Sequence, residues 1–229
     1  MTKLYLMGIN SISEEKLWEY YSEGENISSY RKEKMQRLKQ SSDRINNIAS
    51  AYLLNEALKV YSLSEKDMEY GTNEWGKPYF VKRPDIHFSI SHTKGAVALL
   101  ISDCECGVDI EGRRENYERV INKAFTDKER EYLRKTTDKE YTFARLWTLK
   151  ESFIKAVGQG MSYGLSEFEV ADENGIISLV VSKDKREFHI ENPDIPLCGN
   201  EYSVSIAVEK ASIATTDFEV AYFFYFNDI

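Results

Sequence analysis

Gly107-Val108-Asp109-Ile110-Glu111 alternates apolar and acidic residues. Successive side chains of a β-strand point to opposite faces, so this spacing predicts a strand with Asp109 and Glu111 on one side and Val108 and Ile110 on the other. Two carboxylates side by side repel each other unless water or a cation lies between them. A hard divalent cation such as magnesium takes a few carboxylate oxygens together with phosphate oxygens of a substrate. The solvent face of an ordinary strand gives the same alternation.

Outward from this stretch the pattern divides the chain. Upstream, His87-Phe88-Ser89-Ile90-Ser91 also alternates and Ala96 to Ile101 is a short apolar run, so three neighbouring strands are expected here. Helical spacing dominates from Ser13 to about Leu63; Ile45, Ile48, Ala49, Tyr52, Leu53 and Ala57 recur at three- and four-residue intervals behind a Ser42-Asp43 cap. The opening eight residues read as a first strand, not as a signal peptide. Downstream, Thr126-Asp127-Lys128-Glu129 caps a helix, a longer one runs from about Lys139 to Val157, and Gly158 stops it. Strands follow at Glu167 to Ala171, Ile176 to Val181, Glu187 to Ile190, Tyr202 to Val208 and Glu219 to Phe226. Strand, helices, strands, then helices and strands again is the order of two similar α+β halves, meeting near residues 104 to 112.

Composition narrows the function. A length of 229 residues, 42% of them hydrophobic, suits one large domain or two compact halves with a real core. No apolar run approaches the roughly 20 residues that span a bilayer. Thirty basic against 38 acidic residues leave a net charge of −8, which argues against general nucleic-acid binding. Cys104, Cys106 and Cys198 are too sparse for a disulfide framework, so a reducing cytoplasm is expected. The densest positive stretch, Arg31 to Lys39, reads either as a basic patch or as a solvated helix face.

Other segments carry candidate chemistry. In Trp147-Thr148-Leu149-Lys150-Glu151-Ser152-Phe153-Ile154-Lys155, Glu151 and Lys155 share a helix face at i, i+4, with Phe143, Leu146, Trp147 and Ile154 as the buried stripe. Glu151 lies near the core edge; an exposed ion pair with Lys155 is the ordinary reading, and a third metal ligand is the other. Ser91 and His92 end a strand and enter a loop; as neighbours on a strand they face opposite sides, which argues against a Ser-His nucleophile pair. Lys77, in the Gly76-Lys77-Pro78 turn, reads as a phosphate contact or a surface turn.

Taken in order, Trp-Gly-Lys-Pro at 75–78, Phe-Ser-Ile-Ser-His at 88–92, Gly-Val-Asp-Ile-Glu at 107–111, Phe-Thr at 125–126 and Trp-Thr-Leu-Lys-Glu-Ser-Phe-Ile-Lys at 147–155 resemble the successive motifs of the Sfp-type 4′-phosphopantetheinyl transferases. The resemblance implies an α+β fold of two pseudo-symmetric halves, 1–106 and 107–229, with coenzyme A in the cleft between them. It implies magnesium, or manganese, on Asp109, Glu111 and Glu151, and a monomeric enzyme that moves phosphopantetheine from coenzyme A to a serine of an acyl or peptidyl carrier protein. Glu151 and Lys155 are then the catalytic residues, with Glu151 or a metal-bound water as the base. Lys155, Lys77, Ser91, His92 and Asp109 contact coenzyme A, His92 at its 3′-phosphate, and Arg31, Lys34 and Arg44 meet the same end of the ligand. The sequence departs from the family in one place: family members often read Asp-Arg-x-Arg where this chain has Asp43-Arg44-Ile45-Asn46. Either Arg44 supplies that charge from a shifted position, or the 3′-phosphate is held less firmly. Arg113-Arg114, Met161 and Tyr163 are candidates for carrier contact. A pyrophosphate-bond hydrolase and a non-catalytic carrier-binding protein are the alternatives from other classes.

Overall fold

A computed structural model describes residues 1–10, 15–16, 19, 27–173, 176–181, 185–193, 195, 202–210 and 218–225. Cys198 lies outside them. Strands β1 (Thr2–Gly8), β2 (Tyr70–Thr72), β3 (Pro78–Phe80), β4 (His87–Thr93), β5 (Ala96–Ser102), β6 (Cys106–Gly112), β7 (Phe168–Glu173), β8 (Ile176–Val181), β9 (Phe188–Glu191), β10 (Tyr202–Glu209) and β11 (Phe218–Tyr225) alternate with helices α1 (Ser29–Arg37), α2 (Ser41–Leu58), α3 (Glu118–Ala124), α4 (Asp127–Lys135) and α5 (Lys139–Val157). Among the described residues no helix is long and apolar enough to cross a membrane.

Two larger sheets organise these elements, one in the order β11-β1-β5-β4 and one in the order β6-β10-β9. The apolar run of β5 is buried on both faces for a reason its alternation makes plain. Val97, Leu99 and Ile101 pack with Ile48 and Leu53 of α2. Ala96, Ala98 and Leu100 turn the other way and meet Val108 and Ile110 of β6 and Ile206 of β10. The sheets therefore pack on one another, with α2 covering the outer face of the first and α5 lying on the second. Of the three strands expected between residues 87 and 111, β4 and β5 pair as neighbours, while β6 belongs to the second sheet. The C-terminal strand β11 returns to the first sheet and runs parallel to β1.

Side chains, rather than a ladder of backbone bonds, stitch β4 to β6. Val108 N donates to Ser89 Oγ at 3.1 Å, Ser91 Oγ donates to Asp109 Oδ1 at 2.6 Å, and Thr93 Oγ1 donates to Glu111 Oε1 at 3.0 Å. Ser89, Ser91 and Thr93 occupy alternate positions of β4 and so share the face toward β6.

Local signals set the helix that matters most. Asp138 caps α5 by accepting from Tyr141 N, and Gly158, at φ 81°, ends it with its N–H on Ile154 O at 2.9 Å. The Thr126–Glu129 capping box forms as the sequence suggests. The expected Ser42-Asp43 cap does not: α2 begins at Ser41 behind Gln40, which makes no side-chain cap bond, and Ser42 and Asp43 lie in the first turn. Lys150 is fully buried and donates to both oxygens of Glu129, at 2.6 and 2.7 Å, and to Phe168 O at 2.8 Å. This pair fixes the rotation of α5 about its axis and so the direction of Glu151, the next residue.

Gly107 fixes how closely α5 approaches β6. A Cβ at this position would stand 2.0 Å from Ser152 O and 2.5 Å from Ala156 N, both backbone atoms of α5. Gly107→Ala must push the helix off the strand, a substitution expected to cost about 1–3 kcal/mol as overpacking does. A shift of the urea midpoint to lower concentration with an unchanged slope checks this; an unshifted midpoint contradicts it.

Candidate active site

Asp109 and Glu111 reach one side of β6 as their spacing predicts, and Glu151 comes to them from α5. Asp109 Oδ1 accepts from Ser91 Oγ and, at 2.7 Å, from Lys155 Nζ. Lys155 therefore pairs across to β6, not with Glu151 one turn before it on its own helix. Glu111 Oε1 accepts from Thr93 Oγ1 and from Gly112 N at 3.1 Å. Glu151 makes no hydrogen bond or ion pair among the described residues. Burial first, then the negative charge of Asp109, push its carboxyl up to about 7 against the opposing pull of Lys155. Burial and the charge of Asp109 likewise raise Glu111, although Thr93, Gly112 and Arg114 oppose the rise. Among the described residues no group of three or more His, Cys, Asp or Glu side chains is arranged to hold a metal ion. The chemistry of these carboxylates nonetheless suits a hard cation: oxygen donors, partly buried, with one carboxylate short of any donor and destabilised by its neighbour's charge.

Beside this acidic cluster opens a cleft of about 450 Å³, and Lys34, Lys77, His92 and Lys155 all line it. Strand alternation divides the two ends of the site. Ser91 pairs with Ala98 and faces Asp109, whereas His92 pairs with Val97 and faces α2. Partial burial first, then the charges of Lys155 and Lys34, lower the pKa of His92, with Asp43 and Asp109 opposing. Partial burial and Arg31 lower that of Lys34. The cations thus repel one another in the absence of an anion.

Two of the expected contacts have their charge committed elsewhere. Arg31 lines the cleft but is buried, and its Nε donates to Glu65 Oε1 at 2.8 Å. Fully buried Glu65 also accepts from Ser28 N, Ser28 Oγ and Tyr70 OH at 2.7, 2.8 and 2.6 Å, so it braces the cleft wall from behind. Lys77 Nζ donates to Glu105 Oε2 at 2.5 Å, Cys106 O at 3.2 Å and Ala156 O at 3.1 Å. Together with Asn73 Nδ2, which donates to Gly158 O at 2.8 Å, it ties the 73–78 turn to the C-terminal carbonyls of α5. Arg44 is not among the cleft-lining residues and donates to Lys39 O at 3.0 Å.

Of the carrier-contact candidates, Arg113 is paired with Asp138, the N-cap of α5, at 2.8 Å. Met161 is 68% exposed, while Tyr163 belongs to the core. Thr93 and Glu65 were not among the sequence candidates, and Asn46 stood there only as the departure from the family pattern. Period-two alternation from Ser91 points to Thr93, but nothing local points to Glu65.

Fold and site together define a two-sheet α+β protein whose cationic cleft ends on a group of carboxylates. Residues 105–207 match the model of the 4′-phosphopantetheinyl transferase superfamily. A 4′-phosphopantetheinyl transferase of Bacillus subtilis is 31% identical over 157 residues, covering 67% of this chain and 70% of its own. The 4′-phosphopantetheinyl transferase Sfp of Bacillus subtilis strain 168 is 29% identical over 173 residues, 74% and 77% of the two chains. The 4′-phosphopantetheinyl transferase gsp of Aneurinibacillus migulanus is 29% identical over 165 residues, 71% and 68% of the two. The chain belongs to the 4′-phosphopantetheinyl transferase superfamily, as an enzyme of the Sfp type.

Glu105 offers a test of the contacts that tie the 73–78 turn to α5. Burial alone would raise its carboxyl, but hydrogen bonds from His87 and Lys77 and the charge of Lys77 outweigh it and hold the group at about 2, from 4.5. A depressed carboxylate stabilises the fold fully above its unfolded value and loses that contribution as pH falls through its folded value. Unfolding monitored between pH 5 and pH 2 should therefore show a loss of stability in the wild type that Glu105→Gln reduces; identical profiles for the two contradict those contacts. Glu65→Ala leaves the buried Arg31 charge unpaired and should cost about 3–5 kcal/mol, read as a lowered urea midpoint.

Proposed function

We propose that this enzyme transfers the 4′-phosphopantetheine group of coenzyme A to a serine hydroxyl of an acyl or peptidyl carrier protein, releasing 3′,5′-ADP, with magnesium or manganese held by Asp109, Glu111 and Glu151. The observation that carries the reading is the junction of two opposed charge sets, an acidic group on β6 and α5 and a cationic cleft beside it, with Lys155 bridging them. A pyrophosphate with a nucleotide at one end and a reacting phosphorus at the other suits this polarity: the carboxylates would hold a cation that offsets its charge, and the positive side chains would meet the rest.

A bound divalent ion would neutralise the pyrophosphate charge that develops as the phosphorus–oxygen bond breaks. Lys155, which donates to Asp109 at 2.7 Å, would exchange that bond for one with a phosphate oxygen and stabilise the leaving 3′,5′-ADP. Asp109, freed of that ammonium group, has Ser91 to hold its carboxylate in place. Lys34 and His92 line the cleft and take the 3′-phosphate end. The carrier serine attacks the phosphorus that bears pantetheine and must lose a proton. Glu151 can accept it only while its carboxylate does not ligate the cation, because burial and the charge of Asp109 push that carboxyl up to about 7 and a bound cation would offset both. Most of the rate enhancement then comes from alignment and charge neutralisation.

Asp109→Ala and Glu151→Ala should each lower transfer to an apo carrier protein more than about 100-fold, as loss of a charge-stabilising group does. Mass spectrometry of the carrier reads this as the absence of the phosphopantetheine adduct, and a chelator should have the same effect on the wild type. Near-normal transfer by both variants refutes the assignment. Release of phosphopantetheine without any carrier favours the hydrolase reading instead.

A further inference from the structure

Asn46 stands where the sequence departs from the family's second arginine, and the structure gives it a partner. Its Nδ2 lies 3.2 Å from His92 Nδ1. Asn46 belongs to the second turn of α2, and His92 meets it because alternation along β4 turns this ring toward α2 while Ser91 faces Asp109. Arg44, the charge nearest in sequence, is not among the residues lining the cleft that His92 borders.

We propose that Asn46 is a positioning residue and a determinant of nucleotide specificity: its amide donates to His92 Nδ1 and holds the ring as the Nε2–H tautomer, so that the anionic end of the substrate meets an oriented hydrogen-bond donor in place of a second fixed positive charge. An imidazole nitrogen that accepts a hydrogen bond cannot carry a proton, so a donor on Nδ1 leaves the proton to Nε2. The charged groups around the ring favour the same neutral state on balance. Lys155 and Lys34 oppose its protonation, Asp43 and Asp109 promote it, and partial burial adds to the opposition. Recognition of a terminal phosphate through a neutral donor discriminates less than recognition through a guanidinium. The inference rests on the coenzyme A reading for its substrate, though not for the hydrogen bond.

The chain has three histidines, so ¹⁵N spectra of the imidazole rings at pH 8 are simple and His92→Ala assigns the relevant signals. The wild type should show a neutral His92 with its proton on Nε2 and with Nδ1 at the position of a hydrogen-bonded acceptor. Asn46→Ala should move Nδ1 to the free-acceptor position. Asn46→Asp, which can only accept, should place a proton on Nδ1. In steady-state transfer, Asn46→Ala should raise the KM for coenzyme A about threefold to tenfold, the range of one hydrogen bond. The kcat, and the KM for 3′-dephospho-coenzyme A, should stay put, and in a His92→Ala background the substitution should change neither KM. A proton on wild-type Nδ1, an Nδ1 signal indifferent to Asn46→Ala, or an unchanged ratio of the two KM values overturns the proposal. Absence of transfer from either substrate would instead sink the coenzyme A reading, while the spectra still decide the role of Asn46.

Discussion

Helix α5 lies on strand β6 as closely as it does because residue 107 has no side chain. The site depends on that contact. Asp109 is two residues along the strand from Gly107, and Glu151 and Lys155 immediately precede Ser152 and Ala156, whose backbone O and N a Cβ at 107 would strike. With the backbones this close, the Lys155 ammonium reaches Asp109, and the carboxyl of Glu151 stands near enough to feel Asp109's charge. The buried Lys150–Glu129 pair stops the helix from rolling, and Lys77 and Asn73 pin its last carbonyls to the opposite turn. Position, rotation and end are fixed by three separate sets of contacts.

These constraints keep like charges close together, an arrangement that is unfavourable without a ligand. Glu151 and Glu111 are harder to ionise than free carboxylates, and Lys34 and His92 harder to protonate than free bases. Each effect has the same physical source, desolvation with a like charge nearby, and each is relieved by the opposite charge of a ligand. The rest of the fold offsets this tension with contacts that are fully satisfied, notably Glu65 with its four donors.

Much of this was legible in the sequence where the signal is periodic. Alternation in β4 and β6 gave the facing of Ser91, His92, Asp109 and Glu111, helical spacing put Glu151 and Lys155 on one side of α5, and Gly158 ended that helix where expected. Partners far apart in the chain were not legible. Lys77 reads locally as a turn lysine open to a phosphate, but its ammonium group meets residues 28 and 79 positions away. Arg31 reads as part of a basic patch, but Glu65, 34 residues on, takes its charge. The pairing of β11 with β1 joins opposite ends of the described chain, which no local pattern encodes.

The account turns on whether Asp109, Glu111 and Glu151 together hold one divalent ion against a pyrophosphate. Manganese can stand in for magnesium, and its free form is counted directly by electron paramagnetic resonance. Titration of the enzyme with manganese in the presence of coenzyme A should give one tightly held ion per chain, lost in Glu111→Ala and in Glu151→Ala alike. A full complement of tightly held manganese in both variants, or none in the wild type, would contradict it.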